Sequence, residues 1–212
     1  MNKQDKLQNL NFENLTLISK ILKKIEHFVF YGTLLGLTRD KNIIKGDDDI
    51  DFLINLKFKK LILKKMKLNN KFKLNKKVSN NYFVQFIRTK EKMFSFVDFY
   101  FYIKDSKKNY IIEKHNFLSN ISDKKYALHI PNKLIFPITK DKKFNTINVP
   151  NNSKAACKFI YGISWLKPLK KNTGYRVEIL NNKPLIIKRS YFGSLTRKIK
   201  EILRFNTYKK IF

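Results

Sequence analysis

Four of the chain's 16 acidic residues fall within five positions, Asp47-Asp48-Asp49-Ile50-Asp51. In a chain that carries 46 Lys and Arg, such crowding of scarce like charges must be offset locally by something positive. Side chains alternate faces along a strand, so Asp49 and Asp51 would share one face while Ile50 and Phe52 point to the other. Two adjacent carboxylates make poor core and good ligands for a hard divalent cation such as Mg²⁺ or Mn²⁺. Upstream, Gly32-Thr33 within Tyr31-Gly32-Thr33-Leu34-Leu35-Gly36 reads as a strand-to-helix turn, whose free backbone N–H groups suit a phosphate. Metal and phosphate together point to phosphoryl-group chemistry.

The elements that must position these residues follow from periodicity. Phe12, Leu15, Ile18, Leu22, Ile25 and Phe28 recur at helical spacing, with Asn11 as the expected N-cap. A short strand over Phe28–Tyr31 then leads into the Gly-Thr turn, and a second helix is expected from about Thr33. The strand Asp49–Ile54 carries the acid pair, and Leu56–Met66 reads as a Lys-rich amphipathic helix. Tyr82–Arg88 and Phe94–Tyr102 have strand composition, joined by the charged loop Thr89-Lys90-Glu91-Lys92, which suits a hairpin. In the second of these strands Phe96, Asp98 and Tyr100 share a face. A carboxylate in so aromatic a strand is costly to bury alone, so Asp98 either lines the site beside Asp49 and Asp51 or faces solvent; the strand pattern leaves both open.

Further on, short apolar runs at Tyr110–Ile112, Tyr126–Ile130 and Leu134–Ile138 are punctuated by Pro131, Pro137 and Pro150. Asn152 or Ser153 caps a helix through Tyr161, with Gly162 as its stop. Near the end, Leu195, Ile199, Ile202 and Leu203 form an apolar stripe among Arg197, Lys198, Lys200 and Arg204. The basic segment 188–212 therefore either docks on an anionic membrane face or packs onto the chain's own core.

A hydrophobic content of 43%, with 14% aromatic residues, excludes general disorder, and 212 residues suffice for one substantial core. No internal repeat or low-complexity linker divides the chain, so a single domain over 1–212 is expected. The formal charge of +30 reads in two ways. It is either a chain-wide lysine bias or an attraction to anionic partners such as nucleotides, lipid phosphates or acidic glycans. No nucleic-acid recognition motif accompanies it. The single cysteine, Cys157, excludes a disulfide framework and reads as a packed helix thiol, while His27, His115 and His129 lack zinc-ligand spacing. The N-terminus has no apolar signal core, and no segment approaches the ~20 apolar residues of a membrane span. A cytoplasmic location is the expectation, with a peripheral place on the inner face of the plasma membrane if the basic C-terminal segment docks.

The run Phe30-Tyr31-Gly32-Thr33-Leu34-Leu35-Gly36-Leu37-Thr38-Arg39, followed by Ile44-Lys45-Gly46-Asp47-Asp48-Asp49-Ile50-Asp51, resembles the LicD/fukutin family pattern "GTLLGxxR…IPWDDDIDI". A second match lies at Phe96-Val97-Asp98-Phe99. A third joins Asn148-Val149-Pro150 to Tyr161-Gly162-Ile163-Ser164-Trp165-Leu166-Lys167-Pro168, similar to the family's "VP…YGxDWxxP". The matches fall in order over about residues 28–168. Lys45-Gly46 stands where the pattern has Pro-Trp, and Ser164 where Asp is common.

The resemblance implies an α+β fold with a small, mixed, nucleotidyltransferase-like sheet and packed helices. It implies Asp49, Asp51 and Asp98 as catalytic carboxylates holding Mg²⁺, and Gly32, Thr33 and Arg39 against the donor phosphates. Asp47 would support them from behind, and Tyr161 and Trp165 would stack on a base or sugar. The implied reaction moves phosphocholine or a polyol phosphate from a CDP-activated donor to a sugar hydroxyl of a surface or lipid-linked glycan, as in lipopolysaccharide biosynthesis. Two other classes stay open. One is a nucleotidyltransferase that moves a nucleoside monophosphate from an NTP; the other is a non-catalytic basic nucleic-acid-binding protein.

Overall fold

The computed structural model describes residues 2–105, 107–115 and 128–168 in full, and the backbone of two further strands at 175–180 and 183–188. The chain opens with helix α1 (Lys3–Ile21), strand β1 (His27–Val29) and helix α2 (Tyr31–Arg39). Strand β2 (Asp49–Asn55) runs through a 3-10 turn at Leu56–Phe58 into α3 (Lys59–Lys67) and the short β3 (Lys73–Leu74). The long hairpin β4 (Phe83–Lys90) and β5 (Met93–Asp105) follows, then β6 (Tyr110–Glu113), β7 (Leu128–Pro131) and one turn of helix, α4 (Asn132–Ile135). Strands β8 (Thr139–Lys140) and β9 (Asn148–Val149) pair with each other, and α5 (Ser153–Tyr161) precedes the hairpin β10 (Tyr175–Leu180) and β11 (Lys183–Lys188).

The central sheet is mixed, with the order β1-β2-β5-β4-β3 and with β6 and β7 added beyond β5. Its one parallel pair among the described strands is β2 with β5, which sets Asp51 directly beside Asp98. On the other flank of β5, antiparallel β4 sets Gln85 opposite Asp98. The two faces of this sheet differ. Ser95 lies three residues from Asp98 and so faces the opposite way; helix α1 packs on the Ser95 face, while α2 reaches Asp51 on the other. Leu15, Ile18, Leu22, Phe28, Ile50, Phe52, Val97 and Phe99 belong to one buried cluster that joins helices and sheet. The fold is α+β, as the periodicities and the resemblance imply.

Several boundaries differ from the sequence expectation, each for a local reason. Helix α1 starts at Lys3, capped by the Asn2 side chain, which accepts from the Asp5 N–H at 2.9 Å. Its first two turns carry almost no apolar face, so periodicity alone starts the helix too late, and Asn11 is an interior residue rather than a cap. Strand β1 is His27–Val29 and α2 begins at Tyr31, because Tyr31 itself makes the turn with φ of 44°. The β4–β5 turn falls at Glu91 and Lys92, both with positive φ, 49° and 62°, matching the hairpin expectation. Asn152 caps α5 and Gly162, with φ of 79°, ends it. The C-terminal stripe at Leu195–Leu203 lies outside the described residues.

Candidate active site

Asp49 and Asp51 project from the start of β2 on one face of the sheet, and Asp98 joins them from mid-β5. One carboxylate oxygen from each lies within 4.8 Å of the others. Two oxygens bound to one Mg²⁺ at about 2.1 Å, or to a larger cation at up to about 2.6 Å, span comparable distances, so the three residues fit a shared hard cation. Asp51 is 4% and Asp98 5% exposed, whereas Asp49 keeps a partial opening to solvent. Burial and the neighbouring Asp98 and Asp47 push the Asp51 carboxyl well above its ordinary range. Burial, then Asp51, Asp47 and Asp98, do the same to Asp49. Such a trio is electrostatically incomplete, and a divalent cation is the simplest group that completes it.

The N-terminus of α2 closes over this trio. The Thr33 N–H donates to Asp51 Oδ2 at 3.2 Å, the Thr33 hydroxyl lies 3.4 Å from the same oxygen, and the Asp51 N–H donates to that hydroxyl at 2.7 Å. Thr33 therefore orients a carboxylate, with its N–H directed at Asp51. Gly32 explains its own identity: a Cβ there would meet Asp47 Oδ2 at 3.1 Å and Asp51 Oδ2 at 3.3 Å. Arg39 sits at the far end of α2, about 10 Å along the helix axis from Gly32. Its guanidinium is taken by Asp40 through two hydrogen bonds of 2.7 Å. Arg39 is thus paired with Asp40 and makes no hydrogen bond to Asp49, Asp51 or Asp98 among the described residues.

Asp47, Asp48 and Asp49 also bring oxygens within 4.8 Å of one another. The loop that carries them is anchored from behind: Asn11 Nδ2 donates to the Asp47 carbonyl at 2.9 Å, and the Phe96 N–H donates to the Asp48 carbonyl at 2.8 Å. Tyr161, at the end of α5, feels the charge of Asp51, Asp47 and Asp49, which adds to burial in pushing its phenol up. Trp165 packs partly buried against the core.

Three features escape the sequence reading. Gln85 donates to Asp98 Oδ1 at 2.9 Å and accepts from the buried Asn75 at 2.7 Å, so a two-step relay fixes the third carboxylate. The signal was present: Phe83-Val84-Gln85-Phe86-Ile87 breaks an apolar strand with one polar residue, just as Phe96-Val97-Asp98-Phe99-Tyr100 does. The second is Glu113, fully buried, which accepts from the Tyr31 hydroxyl at 2.7 Å and from the His115 N–H, with burial pushing its carboxyl up to about 7. The third is an aromatic wall beside Asp98, with Tyr100 lying 4.7 Å from the Tyr31 ring and 5.0 Å from Phe83. Two histidines are held in packed surroundings: His27 is buried and bonded to the Ile25 carbonyl, and His115 stacks on Phe83, with burial holding both near pKa 4.

A family model described as LicD/FKTN/FKRP, nucleotidyltransferase domain, matches residues 24–152. No curated protein matches the chain. The matched span covers more than half of the chain and includes every carboxylate of the site, and the chain belongs to that family. Membership carries transferase activity of the phosphotransferase type in glycan modification, with a nucleotide-activated donor and a glycan acceptor, and is generally metal-dependent.

Proposed function

We propose that this family member transfers a phosphorylated group, phosphocholine or a polyol phosphate, from a CDP-activated donor to a sugar hydroxyl of a cell-surface or lipid-linked glycan. The observation that supports it is the buried convergence of Asp49, Asp51 and Asp98 from two parallel strands. The working unit is the block from about residue 28 to 168, with the basic C-terminal segment appended.

Asp49, Asp51 and Asp98 would hold a Mg²⁺ or Mn²⁺, which would supply positive charge against the donor's pyrophosphate and the departing CMP. Thr33 keeps Asp51 in its ligating orientation, and Gln85 does so for Asp98. Gly32, lacking a Cβ, leaves room for the Asp47 and Asp51 carboxylates against the start of α2. The sugar oxygen attacks the phosphorus that bears the head group, the bond from that phosphorus to the CMP oxygen breaks, and Asp98 takes the proton of the attacking hydroxyl.

The test is incubation with CDP-choline, CDP-ribitol and NTPs, with and without Mg²⁺, and a readout of CMP and pyrophosphate. Release of CMP that requires both Mg²⁺ and a glycan acceptor is the expected result. The family's nucleotidyltransferase description favours one second reading, transfer of a nucleoside monophosphate from an NTP; pyrophosphate release without CMP would select it. Tight, salt-dependent nucleic-acid binding with no turnover of any donor would overturn both.

A further inference from the structure

The segment from Phe52 to Lys90 contains no Asp or Glu, and ten lysines fall between Lys57 and Lys77. Helix α3 lies in its middle and buries only Ile62 and Met66. Lys59, on the same inner side, reaches over the Phe101 ring at 5.9 Å, on the sheet face opposite Asp98. The outward face is built from Lys60, Leu61, Lys64, Lys67 and the capping Leu68, all exposed. At 100° per residue these five fall within about a third of the helix circumference.

Leucines on that face need an explanation. Leu61 is 42% and Leu68 82% exposed. They are seven residues apart, so they stand one above the other on a single side of the helix, about 10 Å apart. Lysine bias in this chain accounts for the lysines and leaves two aligned, exposed leucines unaccounted for. Lysine heads around protruding aliphatic side chains match the boundary of a bilayer, where the ammonium groups meet lipid phosphates and the leucines enter the acyl edge. A nucleic-acid surface would instead favour arginine and stacking aromatics, and this face has neither.

We propose that the outer face of α3 is a docking surface for an anionic phospholipid bilayer. The proposal stands apart from the donor and acceptor chemistry, and its test uses no activity. The full chain is sedimented with phosphatidylcholine vesicles, with and without phosphatidylglycerol. Three variants are compared: Leu61→Ser with Leu68→Ser; Lys60→Glu with Lys64→Glu and Lys67→Glu; and a control at exposed lysines elsewhere, Lys107→Glu with Lys108→Glu and Lys142→Glu. Melting temperatures confirm that these surface changes leave the fold intact.

The chain should bind only the phosphatidylglycerol-containing vesicles. The α3 lysine variant should lose at least about tenfold in partitioning, the leucine variant at least about threefold, and the control clearly less than the α3 lysine variant. Equal losses in the control and α3 lysine variants would show diffuse attraction by the whole charge and overturn the proposal. So would an unchanged leucine variant. Loss of RNA binding in the α3 lysine variant, with vesicle binding intact, would reassign the face to nucleic acid.

Discussion

The two faces of one sheet bury polar groups in opposite ways. Under α1, Ser95 donates to Asn11, Asn14 Nδ2 donates to Ser95 Oγ at 2.7 Å, and Arg88 donates to Asn14 Oδ1 at 2.6 Å and to Glu13 at 3.1 Å. Each of these donors meets an acceptor, and the buried Arg88 meets a carboxylate. Three residues along β5 and on the other face, Asp98 meets Asp51 and Asp49, acid against acid. Both arrangements remove polar groups from water, yet only the first is complete within the chain. The paired face holds the molecule together and, through Asn11, fixes the Asp47 loop. The acidic face withholds stability that protons or a bound cation would return. A fold tolerates such a patch where function requires it.

That contrast breaks first at Asp51. Asp51→Asn keeps an acceptor for the Thr33 N–H and removes one of the crowded charges. Donor turnover should fall on the order of a thousandfold, while the melting temperature holds or rises. Near-normal turnover would remove Asp51 from the mechanism, and a clear drop in melting temperature would show that the acids are paired like the groups on the other face. Arg88→Met makes the opposite test. It strands Asn14 Oδ1 in a buried position and should lower unfolding free energy in urea by about 3 kcal/mol, with turnover per folded molecule retained. Glu13→Gln should cost less than about 1 kcal/mol, since Glu13 is 45% exposed and its pairs with Arg88 and Lys90 are screened. A loss of similar size in both variants would mean that the ion pair, rather than the asparagine network, carries the face.

The two faces were also unequally legible in the sequence. The acidic face declares itself through composition, because four acids in five positions stand out in a basic chain, and the order of blocks then names the family. Alternation left Asp98 open between the site and solvent, the family pattern placed it with the pair, and its register beside Asp51 is seen only in the fold. The paired face left little trace. Asn11, Asn14 and Ser95 are common residues whose meaning depends on contacts 81 to 84 positions apart. Read locally, Asn11 before an apolar periodicity is a sound cap; only tertiary packing makes it a buried donor to Asp47. Arg39 shows a related limit of local reading. Its position matches the family's arginine, but the neighbouring Asp40 takes both arms of the guanidinium.

Glu113 falls between the two cases and gives the finest test of the comparison. It lies on the acidic side, joined to Tyr31 at the mouth of α2, yet it has two donors of its own, the Tyr31 hydroxyl and the His115 N–H. Those donors pull its pKa down, but desolvation prevails and leaves it at about 7 against an ordinary 4.5. A carboxyl raised in the folded state holds its proton more tightly there than in the unfolded chain. Its contribution to stability is therefore complete below about pH 4.5 and is lost as pH rises through about 7. Glu113→Gln removes the titration while its carbonyl still accepts from the His115 N–H and the Tyr31 hydroxyl can turn to accept from its amide. The stability of the native chain relative to this variant should fall by about 2–3 kcal/mol between pH 4.5 and pH 8, read from urea midpoints at each pH. A difference that stays flat across that range would show that Tyr31 and His115 satisfy Glu113 as an ion, which would place it with the paired groups under α1 rather than with the aspartates beside it.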